Sequence, residues 1–275
     1  MLAADYSIEV VPPPASEKAP AAAFSDLSSL SPAFVAIAAY PGLLPSPSAV
    51  SLLRSHFVAP LVPHLTNRDV AKVALPSLLD RLQHSGVSHL IVVRGDASSD
   101  LPAPFDFPYA IDLVAEIRRL WRRGGPLRIE VGAHPEGHPE GRGPSRETDY
   151  LLRKLDAGGD GVITQFCYDA DAVVRLRDRI AAKRAGVPLR AGVLLTTDLA
   201  RISRLAVGAG VSVPPALRKA LIADRDSGGR ARTLAYLTTL VRELFDVGIP
   251  PHLFTTNDAE ATREVLGGAG LLSRI

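Results

Sequence analysis

The strongest constraint on this chain is a pattern that repeats along it: a short, nearly continuous apolar run, a few polar residues at its C-terminal end, then an amphipathic helical stretch. The runs are read at Tyr6 to Val10, Ala33 to Ala38, Phe57 to Val62, Ser88 to Val93, Leu127 to Ala133, Gly161 to Phe166, Leu189 to Leu195 and Pro251 to Thr255. Helical spacing falls over about residues 15–31, 49–55, 70–85, 110–123, 147–157, 169–184, 197–208, 215–225, 229–246 and 257–267, with Asp169 as an N-cap. No two runs sit close enough to form an obvious hairpin, and parallel neighbours need crossovers of this length. Runs that are apolar on both faces suit a sheet covered on both sides. Eight such units predict an α/β fold, a single (β/α)8 TIM barrel over residues 1–275. The alternative is an open doubly wound sheet, weakened because no G-x-G-x-x-G follows the first run.

Proline punctuates the pattern. Pro60 and Pro63 leave the third strand the least defined, and His64 to Asp69 is read as the polar loop after it. Pro76 falls inside the third helical stretch and should start or kink a turn there. The fifth run, LRIEVGA, leads into His-Pro-Glu-Gly-His-Pro-Glu-Gly at 134–141, a stiff loop carrying two imidazoles and two carboxylates.

Several function classes are disfavoured. Hydrophobic residues make up 47% of the chain, ample for a core, and the formal net charge is only +2. Arg118-Arg119 and Arg122-Arg123 read as solvated helix faces, and with aromatics at 5% a nucleic-acid surface is not indicated. The one cysteine, Cys167, cannot form a disulfide within the chain and reads as a small buried filler rather than a reactive thiol. No apolar run approaches the ~20 residues that span a bilayer, so no membrane is expected. The N-terminal MLAADYSIEV lacks the basic and apolar regions of a secretory signal, and a cytoplasmic location is the expectation.

In a barrel of this kind the chemistry sits at the C-terminal ends of the strands. The polar residues there are Glu9, His64, Arg94, Asp96, His134, His138, Gln165, Thr256 and Asn257. Glu9 and Gln165 are the most informative, because an isolated polar side chain in an apolar strand costs free energy unless it is satisfied or used. A buried carboxyl has a raised pKa, which suits a general acid near neutral pH; a Glu9 turned outward is the alternative. His134-x-x-x-His138, with Glu136 and Glu140 between and after, could supply metal ligands. Its Pro- and Gly-bent loop does not put both rings on one face, so a barrel-mouth loop is the preferred reading and no metal is expected. Arg94-Gly95-Asp96 directly after a buried strand is no adhesion tripeptide. Neither G-x-S-x-G nor G-x-x-x-x-G-K-[ST] occurs, against a serine hydrolase and a phosphate loop.

SIEVVPP at 7–13, PHLTNRD at 63–69, VVRGD at 92–96, AHPEGHPE at 133–140, KLDAGGDGVITQF at 154–166 and LFTTN at 253–257 occur in this order. Together they resemble the 5,10-methylenetetrahydrofolate reductase family over nearly the whole chain. That resemblance implies a (β/α)8 barrel that passes hydride from NADH or NADPH to FAD and then to the one-carbon unit of a small-molecule folate substrate. It implies Glu9 as the acid that protonates the folate nitrogen, Asp96 as the aspartate near the flavin that favours the cationic intermediate, and Gln165 as the amide that orients substrate. For FAD it implies His64, Arg94, Gly95, Asp96, Ala110, His138, Glu147, Arg153 and Lys154. A homo-oligomer is compatible with it.

The departures are local. Ala38-Ala39-Tyr40-Pro41 stands where the family has a Thr-Tyr-Gly-type turn, and His134 replaces a tyrosine. Thr255-Thr256-Asn257-Asp258 stands where T-L-N-R is usual, so an acid replaces a folate-contacting arginine. Arg201 and Leu205 fall at a substrate-side glutamine and phenylalanine. The readings left open are a reductase of methylene-folate, a barrel homologue acting on a different one-carbon or folate-like substrate, and a non-catalytic paralogue that binds a folate or a partner.

Overall fold

The computed structural model describes residues 5–14, 21–39, 43, 46–95, 106–121, 125–141 and 143–272. Eight strands close into a barrel in sequence order: β1 (Ser7–Val10), β2 (Val35–Ile37), β3 (Leu61–Thr66), β4 (His89–Val93), β5 (Arg128–Ala133), β6 (Gly161–Phe166), β7 (Leu189–Leu194) and β8 (Pro251–Phe254). The helices between them are α1 (Ala21–Ser28), α2 (Ser46–Leu53), α3 (Leu75–His84), α4 (Ala110–Leu120), α5 (Pro144–Asp156) and α6 (Ala170–Ala181). Three more, α7 (Leu199–Ala209), α8 (Pro215–Ser227) and α9 (Ala231–Asp246), separate β7 from β8, and α10 (Ala259–Gly268) follows β8. The expected barrel is therefore observed. The described strands are buried almost throughout, as strands sandwiched between an inner core and outer helices must be.

The third strand lies four residues later than expected. Phe57 instead follows the turn after α2: its N–H donates to Leu53 O at 3.1 Å and its ring meets Phe24 edge-on at 6.5 Å. Pro63 sits inside β3, opposite Ile37 of β2, because proline's fixed φ lies within reach of extended backbone even though it removes a donor. His64 is consequently a strand residue rather than a loop residue. Pro76 opens α3 instead of kinking it, in the first turn where its missing N–H costs nothing.

The chain packs as two compact units. One comprises Glu9–Gly132 and Tyr150–Val162. It holds the parallel ladder β2–β3–β4–β5, with His64 opposite Ile91 and Leu90 opposite Ile129. Arg118 of α4 closes its loops: the guanidinium donates to Gly158 O at 2.8 and 2.7 Å and to Leu127 O at 2.7 Å, and it pairs with Asp160. Asp160 in turn accepts from Ile129 N–H at 2.7 Å, so one guanidinium fixes the entries to β5 and β6.

The other unit comprises Met1–Ile8, Ala133–Asp149 and Ile163–Ile275. Here β7 pairs with β8 through Ala191 opposite Pro251 and Val193 opposite Leu253. Arg230, the N-cap residue of α9, offers no side-chain cap. The buried Asp224 of α8 replaces it, accepting from Arg232 N–H at 3.2 Å and Thr233 N–H at 2.7 Å. Cys167 is buried as expected, and burial pushes its thiol up to about 12, which leaves it inert. Among the described residues no helix is long and apolar enough to cross a membrane.

Candidate active site

The geometry at the end of β1 decides how Glu9 is used. The four residues of β1 are buried, and Glu9 is only 4% exposed, so its carboxyl is withdrawn from solvent. Its Oε2 lies 3.3 Å from Nε2 of His64 on β3. Burial raises the Glu9 pKa, and the neighbouring imidazole only partly opposes that rise. Ser46 Oγ, at the start of α2, donates to the His64 carbonyl at 3.1 Å and ties the strand to the helix behind it. The result is a desolvated carboxyl whose pKa is raised by burial, with an imidazole nitrogen beside it.

The His-Pro-Glu-Gly repeat is a pair of tandem β-turns. Gly137 N–H donates to His134 O at 3.0 Å, and Gly141 N–H donates to His138 O at 2.7 Å. Each turn has proline second and glycine fourth, the positions that favour them. This places the two imidazoles four residues apart with rings edge-on, centroids 4.7 Å apart. His138 Nδ1 accepts from Glu140 N–H at 3.1 Å. That bond fixes the tautomer: the ring's proton is on Nε2, which becomes a donor. Glu147, buried on α5, accepts from His134 N–H at 3.3 Å, and Glu136 Oε2 accepts from Ser212 N–H at 3.0 Å. Among the described residues no cluster of three metal-ligating side chains occurs.

The remaining expected residues are placed as follows. Asp96 lies outside the described residues, as do Tyr40 and Pro41 of the altered turn. Gln165, half-buried in β6, accepts from Phe166 N–H through Oε1 at 2.9 Å. Arg94 is half-buried just past β4, and Gly95 follows with φ +76° against Thr66, where a Cβ would come within 2.8 Å of the Thr66 Cβ. Ala110 begins α4, whose Asp112 accepts from Tyr109 N–H at 3.0 Å. Arg153 is exposed and lies 5.8 Å over the Tyr150 ring, while the Lys154 ammonium donates to Gly132 O.

After β8 the chain passes through two successive left-handed residues, Thr256 at φ 51° and Asn257 at φ 62°. A β-branched residue rarely takes that conformation. It is held by Thr256 Oγ1 donating to Leu195 O at 3.2 Å, Asn257 N–H donating to Thr255 Oγ1 at 3.1 Å and Asp258 N–H donating to Thr255 O at 2.9 Å. Asp258 is the N-cap of α10, accepting from Ala261 N–H at 2.9 Å, and lies 3.6 Å from Arg230. The acid at this position thus has a local structural task.

Sequence reasoning passed over a buried acid in a barrel strand. Glu130 on β5 is 1% exposed, with Arg128 at 2.7 Å and His89 at 3.5 Å. The signal that singled out Glu9, a lone carboxylate inside an apolar strand, applies equally to the LRIEVGA run.

Comparison with known proteins gives consistent matches. The family described as methylenetetrahydrofolate reductase matches residues 3–270. A 5,10-methylenetetrahydrofolate reductase of Pectobacterium carotovorum is 29% identical over 97% of this chain and 90% of its own length. The Escherichia coli protein of that name is 28% identical over 76% of this chain and 70% of its own. Methylenetetrahydrofolate reductase 2 of Saccharomyces cerevisiae is 29% identical over 76% of this chain, which spans only 36% of that longer protein. Among solved structures, a 2,3-dimethylmalate lyase of the PEP mutase/isocitrate lyase superfamily aligns with TM-score 0.56 and 10% identity, over 91% of this chain and 74% of its own. At that identity the likeness concerns the barrel alone.

Proposed function

Since this chain belongs to the methylenetetrahydrofolate reductase family, a family of oxidoreductases, we propose that it reduces 5,10-methylenetetrahydrofolate to 5-methyltetrahydrofolate with hydride from NADH or NADPH. The observation that carries this reading is Glu9: a carboxyl buried at the end of β1, with a raised pKa and an imidazole at 3.3 Å. Methylene-folate becomes a hydride acceptor only when its bridging nitrogen is protonated and the ring opens to an iminium. The raised pKa of Glu9 favours its protonated form, which can donate to that nitrogen. The carboxylate left behind would favour the adjacent cation, and His64 Nε2 stands where it can steady the ionised acid and help restore its proton.

FAD, when bound, would supply the two-electron relay between nicotinamide and folate. The donors in this chain suit such a group: the Arg94 guanidinium and the first-turn amides of α4 after Tyr109 are of the kind a pyrophosphate takes, and His138 offers Nε2–H. Glu147 and Lys154 are turned onto backbone, at His134 N–H and Gly132 O, so we assign them the support of the loop and of the β5 end. Gln165 would orient substrate, and Asp96 would add negative charge near the reacting carbon.

The test is spectroscopic. Purified protein is expected to show flavin absorbance, to bleach with NADH or NADPH, and to recover colour on addition of methylene-folate. A colourless protein that still turns over methylene-folate would remove FAD from the scheme. A yellow protein that bleaches but is not reoxidised by methylene-folate would point to another acceptor.

A further inference from the structure

The tandem turns are held within their unit by side chains from three places. Glu147 takes His134 N–H, Glu136 reaches Ser212 N–H, and the third anchor is Arg179 on α6. Arg179 differs from its neighbours on that helix. Arg175 pairs with Asp169 at 3.1 Å and Arg177 with Asp178 at 2.9 Å, so each of these two cations has a carboxylate partner. Arg179 is half-buried, and among the described residues it has no carboxylate within ion-pair distance. A guanidinium withdrawn from water without a counter-ion is costly unless its donors are used. Here they go to two neutral oxygens, Thr148 Oγ1 at 3.2 Å and Pro135 O at 3.4 Å. Thr148 is itself buried and donates to Pro144 O at 3.0 Å, at the first residue of α5. One cation therefore bridges α6, the first turn of α5 and the second residue of the first His-Pro-Glu-Gly turn. Burial pushes its pKa down, with Arg175 adding to the effect.

We infer that Arg179 is a positioning residue for cofactor binding: it fixes the first turn, the edge-on contact of His134 with His138 carries that constraint to the second, and His138 Nε2–H is thereby aimed. The inference rests on the reading of His138 as a flavin contact. Two readouts keep the two claims apart. The first is FAD titration of the apoprotein by flavin fluorescence. Arg179→Met keeps the stem and removes the donors, and is expected to weaken FAD binding about tenfold, the loss of one to two hydrogen bonds. Arg179→Lys, able to satisfy one of the two oxygens, recovers part of that affinity.

The second readout is the ¹⁵N spectrum of histidine-labelled, ligand-free protein. In the wild type His138 shows an unprotonated Nδ1 and a protonated Nε2, and in Arg179→Met the two shifts move together as the tautomers exchange. Should Arg179→Met fail to fold, Thr148→Val removes one acceptor and is expected to move both readouts in the same direction by less. FAD affinity within twofold of wild type together with unmoved His138 shifts, in whichever of these variants folds, overturns the inference. A wild type that binds no FAD overturns the cofactor reading alone, and the His138 shifts still decide whether Arg179 aims the ring.

Discussion

Glu9 and Glu130 belong to the same unit, and each is a carboxylate buried in a barrel strand with a histidine nitrogen close by, at 3.3 Å for Glu9 and 3.5 Å for Glu130. Their pKa values nevertheless move in opposite directions. At Glu9 burial dominates and raises it. At Glu130 burial also raises it, but the nearby His89 imidazole and the charge and hydrogen bond of Arg128 outweigh that, and the net shift is downward. One difference is a guanidinium. Arg128 sits two residues away on the same strand face, and its Nε and Nη2 both lie 2.7 Å from Glu130 Oε1. At Glu9 the balance of burial and imidazole favours the protonated form; at Glu130 an arginine held against the carboxylate favours the anion.

The largest expected effect follows from removing the acid. Glu9→Gln should slow folate reduction by ~10²–10⁴-fold, the usual worth of general acid catalysis, while nicotinamide-dependent bleaching of the flavin proceeds at its normal rate. Stopped-flow measurement of the two half-reactions checks this, and equal slowing of both would show that Glu9 acts on the cofactor and not on the folate. Glu130→Gln should show the complementary pattern. It should lower unfolding stability by about 2 kcal/mol through loss of charge-assisted hydrogen bonds, with folate reduction little changed. Urea denaturation read alongside kcat separates the two, and a catalytic defect at unchanged stability would erase the distinction between these acids.

A smaller effect is expected at Gly161. A Cβ there would lie 2.3 Å from Glu130 Oε2, so Gly161→Ala must push the carboxylate away from its partners. A loss of about 1 kcal/mol, as for mild overpacking, should appear in wild type and shrink in the Glu130→Gln background. Strict additivity in the double mutant would mean that the glycine's task lies elsewhere.

The subtlest difference is in how stability depends on pH. Glu9, with its folded pKa raised, destabilises increasingly as pH climbs from its ordinary value of 4.5 through the folded value, so Glu9→Gln should gain relative stability across that rise. Glu130, with its folded pKa lowered, contributes stability that is present above 4.5 and is lost as pH falls through the folded value, so the cost of Glu130→Gln should shrink in acid. Denaturation midpoints collected at several pH values should give slopes of opposite sign for the two variants. Slopes of the same sign would mean that Arg128 is not what separates them.

Much of this was legible in the chain. The eight-fold alternation of apolar run and helix was enough for the barrel, because strand burial and helix amphipathicity are local signals. The third strand was misplaced because Phe57, a buried apolar residue just past the turn after α2, mimics a strand start, while Pro63 looks like a breaker yet sits inside β3. The stiffness of the His-Pro-Glu loop was readable from its prolines and glycines, but the two closed turns and the locked His138 tautomer depend on hydrogen bonds to backbone that no residue pattern specifies. Asp258 carries a task the resemblance did not signal: its position before α10 makes it a helix cap. Glu9 could be picked out as an acid from sequence, but its pairing with His64 joins residues on different strands and emerges only from the fold.

The most direct test of the account is a titration of the Glu9 carboxyl itself, by ¹³C NMR of glutamate side chains with Glu9→Gln and Glu130→Gln used to assign the two resonances. The account predicts that the Glu9 carbon titrates above, and the Glu130 carbon below, the ordinary glutamate value of 4.5. A Glu9 carbon that titrates at or below the Glu130 carbon would contradict it.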